Sequence, residues 1–155
     1  MVDRRDIGSW LEGPRARTSA PGEYRGQRLG MPLSGPGSIA HFGRRLVGVV
    51  IDWLLCLLIA NALWGVGWQE TGGRSFIPLA VFAVENLLLV GTLGTTIGHR
   101  VVGIQVRNVA GGRAHLLQVV VRTVLLCLAI PALIWDRDGR GMHDRVANTV
   151  IVNVR

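Results

Sequence analysis

The sequence contains no lysine: all 17 basic residues are arginine, set against ten acids, for a formal net charge of +7 and a pI near 11.3. So basic a chain could serve nucleic acid, but it lacks basic runs interleaved with aromatics, and its arginines flank apolar segments instead. No nucleic-acid partner is expected; membrane topology accounts for the charge. Cysteine is almost missing too. Cys56 and Cys127 both lie in apolar runs without CxxC or Cys/His spacing, which excludes a zinc or redox centre and leaves no metal or cofactor expected. The first 38 residues hold no apolar core of the kind a cleaved signal needs, so the first apolar helix is expected to direct insertion itself.

What is present is apolar. Hydrophobic residues make up 49% of the 155 positions and mean hydropathy is +0.37, values that place the chain among membrane proteins of one small unit. Residues 1–40, with Pro14, Pro21, Pro32, Pro36 and charges of both signs, read as a disordered cytoplasmic tail, and residues 41–155 as the membrane domain. Three apolar stretches follow, about 46–68, 76–93 and 116–135, each near the ~20 residues a bilayer requires. Eight arginines precede the first span and only Arg74 follows it before the second, so the N-terminus is expected inside, with Trp64 and Trp68 at the outer interface.

Val102, Ile104 and Val106 alternate with Gly103, Gln105 and Arg107, and Val150, Val152 and Val154 alternate likewise. These are the marks of two short strands, about 100–107 and 148–154, pairing in one cytoplasmic sheet. The expected fold class is an all-α membrane protein with two to three transmembrane helices and a small two-stranded β element. The third span is ambiguous. Pro131 and Arg122 interrupt it, and a full crossing would carry Arg137, Arg140, Arg145 and Arg155 outside, so both a plain span and a re-entrant or shallow helix stay open.

Three charged residues sit inside the spans: Asp52, Glu85 and Arg122. Counted from the cytoplasmic ends at 1.5 Å per residue, they lie roughly 9, 12 and 10 Å deep, one polar layer. On helix one, Arg45, Gly48, Val49, Asp52, Cys56 and Ile59 share a stripe. The layer reads either as an ion-pair cluster fixing helix register or as a cation or proton site, with coupling to a partner protein a third reading. His143 and Asp144 are adjacent, but no nucleophile or second metal ligand stands at a motif spacing from them. Enzymatic chemistry is therefore not expected, and Asp144 is expected to clamp the C-terminal segment against the basic link.

In order along the chain, "RRLVGVVID" with Arg45 and Asp52, "GTTIGHRVVGIQVRN", and "RGMHDRVANTVIV" with Asp144 resemble the RDD family of small integral membrane proteins, named for one arginine and two aspartates. The similarity covers about residues 41–155; His99 stands where lysine is common. It implies a multi-pass protein of a bacterial inner membrane and proposed transport of unknown ligands. The functional expectation is a transport- or ion-handling component with Asp52, Glu85 and Arg122 as its charge site, its partners being the bilayer, a small cation or proton, and a second copy or another membrane protein. The alternative is a non-transporting scaffold that recruits a partner through its tail.

Overall fold

The computed structural model describes residues 24–67, 69–128 and 140–155. Its long helices are α1 (Phe42–Trp64) and α2 (Ile77–Leu93), the latter entered through a 3-10 turn at Gly72–Phe76. Pro78 falls in the first turn of α2, where its missing N–H breaks no helical bond. Both helices are apolar almost all round, so hydrophobicity alone does not choose a buried face. On α1 small and polar residues do, Arg45, Gly48, Asp52, Cys56 and Ala60 being buried, while α2 buries Pro78, Phe82, Asn86 and Val90. Both sets recur at three- or four-residue spacing, one stripe per helix.

The other faces stay uncovered. Leu46, Val50, Leu54 and Leu58 on α1, with Val84 and Leu88 on α2, are exposed leucines and valines of a kind that a water-soluble domain buries. With 23 residues, α1 is about 34 Å long at 1.5 Å per residue, enough for a hydrocarbon core of ~30 Å. Together with the turn before α2, the structure has two helices long and apolar enough to cross a membrane.

Short elements gather at one end of this pair: α3 (Ile97–Val101), β1 (Ile104–Asn108), α4 (Leu116–Cys127), α5 (Met142–Val146) and β2 (Thr149–Asn153). Gly94 ends α2 with φ of 72°, a left-handed conformation glycine adopts without strain, and its carbonyl accepts from Val106 N–H at 2.8 Å. That bond ties α2 to β1. The strands pair antiparallel, from Ile104 opposite Asn153 to Asn108 opposite Thr149. Their core is Val90, Ile104, Val106, Val119 and Ile151, so α2, both strands and α4 share one apolar centre.

The two expected strands are present and paired, with later starts than the alternation suggested. Residues 100–103 go instead to the end of α3 and the turn after it, because Thr96 caps that helix by accepting from His99 N–H at 3.1 Å. The helix of the first span begins earlier than expected, at Phe42, and closes at Gly65. Within the described residues the third apolar helix covers only Leu116–Cys127, about 18 Å, and the expected stretch at 129–135 lies outside them.

Pairing of β1 with β2 bears on the third span. If α1 and α2 cross a bilayer, one further complete crossing would leave the strands on opposite sides; their hydrogen bonds exclude it. Residues 24–40, expected within a disordered tail, are folded. Ile39 bridges to Val152, Ala40 N–H donates to the Ile151 carbonyl at 2.9 Å, and Leu29 and Met31 pack with Ile39, Val150 and Val152. These few apolar side chains suffice because β2, buried on both faces, offers them a ready surface. The expected tail at 1–23 lies outside the described residues.

Ile104 sits at the centre of that core with 1% exposure. Ile104→Ala is expected to destabilise the protein by about 2–4 kcal/mol, seen as a lower Tm in detergent while helix content at room temperature is unchanged.

Candidate functional site

Polar side chains are buried in two neighbouring groups. The first centres on Asp144, which is fully buried. Arg122 Nε donates to its Oδ1 at 2.7 Å, and Thr149 Oγ1 donates to the same oxygen at 3.2 Å. Arg45 Nη1 lies 3.8 Å from Oδ2 and His143 Nε2 3.4 Å from it. Arg45 also donates through Nη2 to the Ile151 carbonyl at 3.3 Å. One carboxylate thus joins α1, α4, α5 and β2. Burial alone would push the Asp144 carboxyl up, but the Arg122 guanidinium, His143 and Arg45 outweigh it and hold it well below the usual carboxylate range.

Asp52 anchors the second group. Thr96 Oγ1 donates to its Oδ2 at 2.5 Å, and Gly98 N–H donates to its Oδ1 at 2.6 Å. Such short bonds need α3 pressed against α1, and glycine permits it. A Cβ on Gly98 would collide with the Gly48 carbonyl and lie 2.8 Å from Asp52 Oδ1, while one on Gly48 would lie 3.0 Å from the His99 ring. From α2, Glu85 faces Asp52, the two carboxyls within direct interaction. Cys56 Sγ donates to Glu85 Oε2 at 3.1 Å, and Glu85 Oε1 is buried without a hydrogen-bond partner.

The structure therefore brings Asp52 and Glu85 together and hands Arg122 to Asp144, with Asp52 still inside the field of Arg122. The expected single layer is two linked groups. Arg45 is 4% exposed and turned to Asp144 and β2. Asp144 does clamp the C-terminal segment, though against Arg45 of α1 and Arg122 of α4 in place of the basic link. Sequence reasoning missed Thr96, Gly98, Thr149 and His99. A threonine ahead of a short helix was the available signal for Thr96; nothing local marked the others.

His99 lies between the groups. It is 2% exposed, and burial, together with Arg122 and Arg45, lowers its pKa from 6.5 to about 3, against a smaller opposing pull from Asp144. A folded-state pKa below the unfolded one means that the unfolded chain takes up a proton the native ring refuses. That contribution to stability is whole above about pH 7 and drains away as pH falls from about 6.5 toward 3. Tm should fall over that window, and His99→Gln should flatten the decline. Arg122→Ala, which strands Asp144, is expected to cost about 3–5 kcal/mol at neutral pH, read as the loss of Tm in detergent.

Comparison with curated proteins and with solved structures gave no match. A family model described as the RDD family matches residues 39–148, well over half the chain and including Arg45, Asp52, Glu85, Arg122 and Asp144. This chain belongs to the RDD family, and with its two apolar helices it is a membrane-associated protein.

Proposed function

We infer that the chain is an integral membrane protein whose Asp52–Glu85 pair holds one exchangeable positive charge, a proton before any other cation. The balance of buried charge carries this reading. Arg45 and Arg122 supply two positive charges, Asp144 supplies one negative charge, and the acid pair could supply two more. Neutrality, which a low-dielectric interior favours strongly, needs one proton on the pair. Asp52 already receives two strong donors, whereas Glu85 has one weak thiol donor and one oxygen without a partner. Glu85 is accordingly the member that carries the proton, and a small monovalent cation could replace it there.

Orientation follows from the arginines. Arg100, Arg107, Arg113, Arg145 and Arg155 are exposed around the sheet end, and no exposed acid accompanies them among the described residues. The positive-inside rule puts that end, with both termini, in the cytoplasm of a bacterial inner membrane. Two crossing helices enclose no pathway by themselves, so a conducting unit requires a second copy or a partner membrane protein to cover the acid pair.

Proton flux into liposomes containing the purified protein, followed with an internal pH-sensitive dye under an imposed gradient, tests this. Asp52→Asn and Glu85→Gln should each reduce flux at least about tenfold, with Tm nearly unchanged in Glu85→Gln, because an amide replaces a carboxyl that is already neutral. A folded wild-type protein that moves neither protons nor Na+ under any gradient would leave the acid pair a structural element and favour the scaffold reading.

A further inference from the structure

Among the described residues, His99 is the buried histidine for which no role has been given. Its ring packs against Gly48, with Cδ2 3.0 Å from where a Cβ on that glycine would sit, and both Nδ1 and Nε2 are buried without a hydrogen-bond partner in the protein. A neutral imidazole has one donor and one acceptor, and burying both unpaired is costly enough that native structures rarely do so without reason. The ring is not remote from the acids. His99 N–H donates to Thr96 Oγ1, whose own hydroxyl proton goes to Asp52 Oδ2, and the neighbouring Gly98 N–H holds Asp52 Oδ1. His99 also lies within the electrostatic reach of Arg122, Asp144, Arg45 and His143.

Resting on the acid-pair reading above, we propose that His99 is the proton relay between Asp52–Glu85 and the Asp144 group at the sheet end, working through water at its two ring nitrogens. One nitrogen accepts a proton that left Glu85 through a bridging water while the other releases its own proton to water on the Asp144 side. A turn of the ring restores the starting tautomer, and Glu85 is reloaded by a proton taken up on the side of the acid pair remote from His99. Each cycle moves one proton and leaves every group as it began. Release concerted with uptake suits this surrounding, since Arg122 and Arg45 oppose a long-lived imidazolium. Gly48 and Gly98 have a part as well: the first makes room for the ring and the second brings α3 close enough for Asp52 to be reached.

Glutamine can replace the ring's hydrogen bonds but cannot shuttle a proton, so His99→Gln in liposomes should lose at least about tenfold in proton flux while remaining folded. His99→Ala should lose as much and regain part of it on addition of imidazole, a rescue that a packing role would not produce. Wild-type flux in His99→Gln, or no response of His99→Ala to imidazole, overturns the relay and leaves the acid-pair reading standing. A silent wild type overturns both. Should the variants fail to fold, radiolytic hydroxyl-radical labelling of the unaltered, folded protein, read by mass spectrometry, decides: oxidation of the His99 ring supports water at the ring, and a ring left unmodified refutes it.

Discussion

The Asp144 carboxylate is the constraint on which the rest of the cap depends. Four elements from three parts of the chain meet at it, and it is the carboxylate that the buried Arg45 and Arg122 both face. Two guanidiniums withdrawn from water would be prohibitively costly alone; facing one carboxylate and one backbone carbonyl, they become the fixed points of the fold. Geometry sets the order of importance. The 2.7 Å bond from Arg122 is a true charge-assisted hydrogen bond, whereas Arg45 at 3.8 Å contributes field and a separate bond to the Ile151 carbonyl. Arg122 therefore fixes α4 to α5, and Arg45 fixes the start of α1 to β2.

Once α1 is fixed at Arg45, the position of Asp52 two turns on is determined, and the glycine contact does the rest. Gly98 against the Gly48 backbone brings α3 within hydrogen-bond distance of Asp52, so its backbone N–H replaces water as donor. The groups thus share one framework: whatever loosens Arg45 from Asp144 also moves the helix that carries Asp52. Arg122 reaches both, bonding one aspartate and biasing the other through space.

Much of this was legible in the sequence, for reasons that differ from residue to residue. Two long apolar runs and two alternating segments follow from local period, and the paired strands and helices α1 and α2 appear where that period placed them. The stripe through Arg45, Gly48, Asp52 and Cys56 was visible because helical spacing puts those positions on one face whatever they touch. Pairing was not legible. Depth counting put Arg122 level with both acids, but depth carries no azimuth, and Asp144 lies 22 residues along a chain that folds back onto α4. Residues 24–40 were misjudged because proline and glycine dominate their composition, while the few apolar residues that matter, Leu29, Met31 and Ile39, bind a strand at the other end of the sequence.

The same contrast explains why the exposed apolar faces of α1 and α2 say little about function. Leucine and valine on the outer faces of α1 and α2 are interchangeable as far as a hydrocarbon environment is concerned, and substitutions among them keep the transfer free energy nearly constant. Specificity is confined to the interior stripe, where Asp52, Asp144, Arg45 and Arg122 each have a partner at bonding distance. Of that interior set, Glu85 Oε1 and the two ring nitrogens of His99 are among the buried atoms without a hydrogen-bond partner, as are Thr123 Oγ1 and Arg122 Nη1. Glu85 belongs to α2 and His99 to α3, the helix that supplies a donor to Asp52. A threonine hydroxyl and a guanidinium keep their protons near neutral pH, so within that set it is the Glu85 carboxyl and the His99 ring on which the proposed transfer rests.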